Sequence, residues 1–210
     1  MGQALDAFIT YLLDVEGKTS SNPNDSAADF VPAGMIHTVK GITYPKYKTA
    51  MSKLGKQISY SNFVNMDMDL YKDILAVEYF NSPAFAGWWS LYQLKPVIAM
   101  FFMDWAYNRG NNGFEGDIAK YQRNVLKIVD NDITLQETFS NFRKSQYTQD
   151  QLLVGLFWRR LAVYKRLDEI KVANGKESVY KGWANRVKKF YKKFASPSVI
   201  AKLKSQGVVF

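Results

Sequence analysis

The 210-residue chain has no cysteine and only one histidine, His37. The lack of cysteine excludes a disulfide framework, a thiolate nucleophile and any zinc or iron–sulfur site built on cysteine. A single histidine also argues against a histidine-rich metal centre and against a Ser-His-Asp triad. Carboxylates are therefore expected to carry any acid–base chemistry, and we expect neither a metal ion nor a cofactor.

Long hydrophobic runs are missing as well. The longest apolar stretch, residues 96–103, is far shorter than the roughly 20 residues that a membrane-spanning helix needs. The start of the chain contains Asp6 and Asp14 and follows a helical pattern, unlike a secretory signal peptide. The sequence predicts a soluble protein without a signal peptide, made in the host cytoplasm.

The composition is that of a globular protein, with 47% hydrophobic and 15% aromatic residues. Basic residues are concentrated near the C-terminus, where residues 158–204 hold 14 Lys/Arg and 3 Asp/Glu. The rest of the chain holds 14 and 16, so the net charge of +9 comes from this region. Such a region favours a polyanionic partner, which is nucleic acid, an anionic membrane or an acidic wall polymer.

Apolar residues recur at helical spacing along most of the chain, which predicts a mainly α fold. The first helix is expected to end near Glu16, and the turn-forming residues of segment 18–43 predict a long loop or a short β-hairpin. Thr134 and Glu137 have the spacing of a capping box, and the run 108–113 is expected to break the helical pattern. Further helices are predicted over residues 44–54, 68–80, 96–107, 114–129, 134–143, 148–172 and 178–194, and Ser82-Pro83 is predicted to open another.

Two carboxylates near the start of the chain have the chemistry of glycoside hydrolysis. Glu16 ends the apolar first helix, and Asp25 follows across a polar turn. This reaction needs one protonated acid to donate to the departing sugar oxygen and one ionised carboxylate to activate water or attack the sugar. The apolar surroundings expected for Glu16 and the polar ones expected for Asp25 favour these two states. From spacing alone, two solvated surface carboxylates are the alternative.

Three motifs contain or follow this pair: Glu16-Gly17, Ser21-Asn22-Pro23-Asn24-Asp25 and Thr38-Val39-Lys40-Gly41-Ile42-Thr43. Together they resemble the N-terminal signature of glycoside hydrolase family 108, the phage and bacterial N-acetylmuramidases. Residues 102–110 and 119–123 are similar to later helices of that family, and residues 180–187 to a peptidoglycan-binding module that commonly follows. The resemblance implies a lysozyme-like muramidase domain over residues 1–110, with a helical peptidoglycan-binding-like module over 111–210 packed on it.

By this resemblance, Glu16 is the general acid, Asp25 the second carboxylate and Thr38 the residue that positions the attacking water. It implies hydrolysis of the bond between N-acetylmuramic acid and N-acetylglucosamine by a phage endolysin or virion-associated lysin. The enzyme would act in the periplasm or cell wall, or be carried in the virion, and both retaining and inverting chemistry fit the pair. The candidate substrate contacts are His37, Trp88, Trp89, Asp104 and Asn108. The alternatives are a solvated turn histidine at His37, core packing for the two tryptophans, and a buried polar contact between Asp104 and Asn108.

The basic C-terminal region is the predicted surface-binding part of the chain. Its candidate residues are Trp183, Arg186, Lys188, Lys189 and Lys192. They suit anionic cell-wall or membrane phosphates, and phage virion proteins are a further expected partner class. The sequence has no helix-turn-helix, zinc-finger or RNA-binding motif, so sequence-specific nucleic-acid recognition is not expected.

The chain departs from the family pattern at Lys18, at Thr19 and in the longer segment 26–37. These departures favour one alternative, a non-catalytic virion structural protein that retains the lysozyme-like fold. A lytic transglycosylase is the second alternative, and a basic nucleic-acid-binding module is the third.

Overall fold

The structure is a computed structural model that describes residues 3–16, 19–23, 26–129 and 133–210. Within these ranges 72% of the residues are helical, with eleven α-helices, and the strands form one two-stranded hairpin. The predicted fold class is confirmed as mainly α and consistent with a lysozyme-like chain that has a small hairpin after its first helix.

Two compact units divide the chain, Met1–Phe85 and Ala86–Phe210. The predicted domain boundary at residue 110 lies inside the second unit. Among the described residues, no helix combines the length and the apolar character that a membrane crossing requires.

The N-terminal unit opens with helix α1 (Gln3–Glu16), which ends where the sequence predicts. Phe8, Ile9 and Leu12 are buried on one face of this helix, in line with their helical spacing. The unit continues with a 3-10 helix (Ser26–Phe30), strands β1 (Thr38–Val39) and β2 (Ile42–Thr43), α2 (Tyr44–Lys53), α3 (Tyr60–Val64), α4 (Met68–Leu75), a π-helical segment (Ala76–Phe80) and a 3-10 turn (Pro83–Phe85).

The hairpin is short, but its turn and register are well defined. Its strands are antiparallel, with Thr38 opposite Thr43 and Val39 opposite Ile42. Lys40 and Gly41 both have positive φ, at 51° and 76°, which is the backbone of the two-residue turn that matches strand twist. Val39 and Ile42 are buried, so one face of the hairpin belongs to the core of this unit.

An aromatic cluster holds the chain that leaves the hairpin. Tyr44 and Tyr47 of α2 lie against Tyr60 and Phe63 of α3, with ring centroids 5.1 to 6.0 Å apart. Edge-to-face and tilted pairs of this kind add stabilisation beyond the area that they bury. The cluster fixes α2 directly after β2 and therefore anchors the hairpin at its exit.

The C-terminal unit is built around one apolar helix. Helix α6 (Pro96–Arg109) is buried at every residue from Ile98 to Ala106, as expected for a helix that is hydrophobic on all sides. It contacts several helices, among them α5 (Trp88–Leu94), α7 (Asn111–Tyr121) and α9 (Gln149–Ala173). The other elements are α5 (Trp88–Leu94), α7 (Asn111–Tyr121), a π-helical segment (Gln122–Leu126), α8 (Leu135–Lys144), α9 (Gln149–Ala173), α10 (Tyr180–Phe194) and α11 (Pro197–Ser205).

The structure differs from the predicted helices in four places. Ser82-Pro83 opens only a 3-10 turn (Pro83–Phe85), and α5 begins at Trp88. The run 108–113 interrupts the helical pattern only at Gly110, whose φ of 71° separates α6 from α7. The helix predicted over 114–129 begins earlier and ends at Lys127, a left-handed residue with φ 60°. Helices α3 and α11 were not predicted, because each is too short for its periodicity to stand out from neighbouring turns.

One buried charge cluster joins three helices of the C-terminal unit. The Asp104 carboxylate of α6 accepts hydrogen bonds from Arg160 Nη1 of α9 at 2.6 Å and from Arg186 Nη2 of α10 at 2.6 Å. The side chains of Asp104 and Arg160 are fully buried. Because a buried charge is tolerated only when it is paired and hydrogen-bonded, this cluster determines how the three helices face each other.

Replacing Asp104 with Asn is expected to lower the free energy of unfolding by about 3–5 kcal/mol, because two buried arginines lose their counter-charge. Urea unfolding of the wild type and of the Asp104→Asn variant measures this loss of stability. The control is Glu169→Gln on an exposed position of α9, which should stay within about 0.5 kcal/mol of the wild type. A stability loss for Asp104→Asn no larger than that of the control would contradict a structural role for the cluster.

Candidate functional site

Glu16 occupies the last position of α1 and is half-buried. Helix formation places it at the junction between the apolar helix and the polar loop, as its position in the sequence predicts. Asp25 lies outside the described residues, as do Gly17, Lys18 and Asn24. The pairing of Asp25 with Glu16 therefore stays a prediction from the sequence.

Thr38 is the first residue of β1, and its backbone is held from two sides. Thr43 of β2 is its cross-strand partner. On the other side, the Ser20 amide donates to the Thr38 carbonyl at 2.9 Å, and the Thr38 amide donates to the Ser20 carbonyl at 3.3 Å. Since Ser20 lies four residues after Glu16, this bridge brings the loop that follows α1 back against the hairpin.

His37 lies inside this arrangement with its ring 0% exposed. Its Nε2 atom is 3.1 Å from the carbonyl oxygen of Asn22, and its Nδ1 atom is 2.9 Å from the Thr38 hydroxyl. Both ring nitrogens are thus within hydrogen-bond distance of protein groups. The His37 side chain is therefore not exposed for the substrate contact that the sequence predicts. Its ring instead links the loop after α1 to Thr38.

The segment that lengthens the family pattern is ordered at its described residues, 26–37. It contains the 3-10 helix, a turn in which the Met35 amide donates to the Pro32 carbonyl at 3.1 Å, and a glycine with φ 81° at Gly34. Tyr60 of α3 donates to the Ile36 carbonyl at 3.0 Å. The segment is therefore attached to the same aromatic cluster that anchors the hairpin.

Trp88 and Trp89 occupy different environments in α5. Trp88 is fully buried and donates from its indole nitrogen to the Ala99 carbonyl at 2.8 Å. Trp89 is 39% exposed and meets the Trp88 ring edge to face at 4.9 Å. Of the two predicted sugar contacts, only Trp89 presents an aromatic surface to solvent.

Asp104 and Asn108 share one face of α6, as predicted, and belong to one polar network. The Tyr164 hydroxyl donates to Asn108 Oδ1 at 2.7 Å and accepts from Arg160 Nε at 2.9 Å, and Arg160 binds Asp104. Burial raises the pKa of Tyr164, which keeps its hydroxyl protonated as a donor. Because Asp104 is fully buried and bound to two arginines, its surroundings match structural pairing more closely than sugar binding.

The predicted surface-binding residues of α10 divide between its two faces. Arg186 is buried and paired with Asp104, and Trp183 packs on the Tyr164 ring at 5.1 Å. Lys189 and Lys192 are exposed, and Lys188 is half-buried. The lysines are thus placed for an anionic partner, whereas Arg186 and Trp183 face the interior of the C-terminal unit.

Several partners of these residues were not found from the sequence. Ser20 and Asn22 contact the His37 ring, and Arg160 binds Asp104. No local pattern marks them, because each pair is separated by 15 to 56 positions in the chain. Among the residues that the structure describes, no group of three or more His, Asp or Glu side chains is arranged to hold a metal ion.

Comparison with protein families gives one match. Residues 9–110 match the model of the glycosyl hydrolase 108 family. The matched range contains Glu16, Asp25, His37 and Thr38, and it stops before the basic C-terminal region. No curated protein and no solved structure gives a significant match to the chain.

The two tryptophans of α5 provide a test of these environments. Trp88→Ala is expected to lower the free energy of unfolding by about 3–5 kcal/mol, because it leaves a cavity and removes the buried hydrogen bond to the Ala99 carbonyl. Trp89→Ala should cost only about 1 kcal/mol, since it removes edge-to-face contacts at the surface. Urea unfolding monitored by circular dichroism compares the two variants. Equal losses would contradict the assignment of Trp88 to the core and Trp89 to the surface.

Proposed function

We propose that the chain is a glycoside hydrolase of the glycosyl hydrolase 108 family that acts on peptidoglycan. We further propose that it cleaves the bond between N-acetylmuramic acid and N-acetylglucosamine, in phage lysis or wall penetration. The observation that carries the proposal is the family match over residues 9–110, which includes Glu16, Asp25 and Thr38.

In the proposed reaction, Glu16 donates a proton to the departing sugar oxygen. The C-terminal end of a helix carries partial negative charge, which disfavours an ionised carboxylate there and favours the protonated acid that this role needs. The position of Glu16 as the last residue of α1, half-buried, supports the assignment. Asp25 acts as the ionised partner, either as base or as nucleophile.

Thr38 holds the attacking water in this proposal. A threonine hydroxyl has one donor and two acceptor sites, so it can orient a water molecule by hydrogen bonding. The support comes from the backbone, since Thr38 is bonded to Ser20 on one side and paired with Thr43 on the other. A main chain held in this way keeps the Cβ atom that carries the hydroxyl in a fixed position, as a preorganised site requires.

The proposal extends to the C-terminal unit as the part that binds the wall. Exposed lysines of α10, among them Lys189 and Lys192, lie opposite the face that packs on α9. Their charge suits the phosphates of anionic wall polymers or of a membrane surface. The peptidoglycan-binding role of this unit and a virion location are part of the proposal.

Glu16→Gln is expected to reduce the release of reducing ends from purified peptidoglycan by at least about a hundredfold, because the amide has no acidic proton to transfer to the departing oxygen. Asp14→Asn is the matched control, as it makes the same kind of change on an exposed position of α1 and should leave the rate unchanged. Circular dichroism confirms that both variants are folded.

The products distinguish this proposal from its alternatives. Hydrolysis yields reducing ends, whereas a lytic transglycosylase yields anhydromuramic ends, and mass spectrometry separates the two. A virion structural protein without activity would release neither product. Full activity of Glu16→Gln would contradict the catalytic assignment.

Replacing Lys189 and Lys192 with Gln tests the wall-binding surface. Affinity for anionic wall polymer or anionic vesicles should fall about fivefold for each lysine removed, because each contributes about 1 kcal/mol near such a surface. The control replaces exposed Lys120 and Lys144 and makes the same change in net charge. Co-sedimentation at two salt concentrations is the measurement, and equal losses in both double variants would contradict a specific role for α10.

A further inference from the structure

We infer that His37 is a positioning residue that sets the direction of the Thr38 hydroxyl hydrogen bond and thereby orients the attacking water. This inference deepens the proposed function and rests on it. It differs from the substrate contact expected from the sequence, because the His37 ring is buried and meets Thr38 directly.

The partners of the ring determine its tautomer. Two groups lie against His37 Nε2, the Asn22 carbonyl at 3.1 Å and the Ser20 hydroxyl at 3.4 Å. The carbonyl can only accept a hydrogen bond and the hydroxyl can accept one too, so Nε2 carries a proton. A neutral imidazole has one N–H group, which leaves Nδ1 as an acceptor. The Thr38 hydroxyl, 2.9 Å from Nδ1, is therefore the donor in that contact.

This direction has a consequence for the chemistry of Thr38. A hydroxyl has one proton, and here the proton is committed to His37. Toward a water molecule, Thr38 can then only accept, so the water donates one hydrogen to Oγ1 and keeps its lone pairs for the sugar carbon. A Thr38 hydroxyl free to rotate would also donate to the water and occupy a lone pair needed for attack.

The backbone contacts separate this role from simple anchoring. The main chain of Thr38 is held by Ser20 and by the pairing with Thr43 without help from the His37 ring. The His37 backbone is bonded too, since its carbonyl accepts from the Tyr44 amide at 2.8 Å. The ring adds contacts to Ser20 and Asn22 that stabilise the loop, and one to Thr38 that directs the hydroxyl.

Two substitutions of His37 each keep one of these bonds, to Asn22 or to Thr38, and remove the other. The amide of Gln reaches the place of Nε2, so His37→Gln keeps a donor for Asn22 and loses the acceptor for Thr38. Asn has an oxygen near the place of Nδ1, so His37→Asn keeps the acceptor for Thr38 and loses the bond to Asn22. A purely structural role predicts that the more stable variant is the more active one, whereas a positioning role predicts the reverse.

The experiment measures kcat and KM on soluble glycan strands prepared from peptidoglycan, together with thermal unfolding. His37→Gln is expected to lose about ten- to a hundredfold in kcat, with KM within about twofold and a midpoint near the wild type. His37→Asn should recover most of the lost kcat despite a lower midpoint. A wild-type kcat for His37→Gln, or activity that follows stability in both variants, overturns the inference.

A double-mutant cycle tests whether His37 acts through Thr38. In a Thr38→Val background, His37→Gln should cause no further loss of kcat, because the hydroxyl that it directs is gone. If the double variant instead loses kcat by the product of the two single losses, the inference is overturned. Glu16→Gln separates the two hypotheses: if it is inactive while His37→Gln keeps full kcat, only the positioning role fails, and if Glu16→Gln is active, the proposed function fails.

Because the chain has a single histidine, nitrogen-15 NMR of the ring gives a readout independent of activity. The resting protein at neutral pH should show a protonated Nε2 and an unprotonated, hydrogen-bonded Nδ1. The opposite tautomer would overturn the inference even if the enzyme is active.

Discussion

The pairing of one carboxylate with two guanidinium groups is the constraint around which the C-terminal unit is organised. Asp104 lies in the buried and otherwise apolar stretch Ile98–Ala106 of α6, and its charge is tolerated there only because Arg160 and Arg186 reach it from α9 and α10. Arg160 also lies 5.0 to 5.5 Å from the rings of Phe101, Trp105 and Tyr164. Apolar packing gives this unit its compactness, and the directional charge pairs select one arrangement of its helices.

In the N-terminal unit, the buried His37 ring links separate segments, as Asp104 does in the C-terminal unit. His37 bonds to Asn22 and Thr38 through its two ring nitrogens, while the hairpin and the Ser20 bridge hold the backbone beside it. In the proposed mechanism, the group that positions water must be held by elements more rigid than a loop. Two strands of two residues each supply that rigidity because the turn, the bridge and the aromatic cluster each restrain the same short segment.

Local signals in the sequence account for most of the helices. The capping box at Thr134 and Glu137 forms as predicted, and Pro96 opens α6. The long break predicted over residues 108–113 was wrong. An asparagine-rich stretch can form a helix when tertiary packing stabilises it, and within this run only Gly110 adopts the positive φ that ends a helix. Helix propensity is a weak preference that the packing of Phe114 and Ile118, both buried, overrides.

The sequence by itself determined the helical class, the long polar segment in which the hairpin lies and the residue types that suggest carboxylate chemistry, because these depend on spacing and on neighbours within a few positions. Tertiary structure decided which polar side chains are buried. His37 and Arg186 were both expected at surfaces, yet each meets partners that the fold brings from 15 and 82 positions away. Burial and pairing depend on such distant contacts, and no local pattern of residues encodes them.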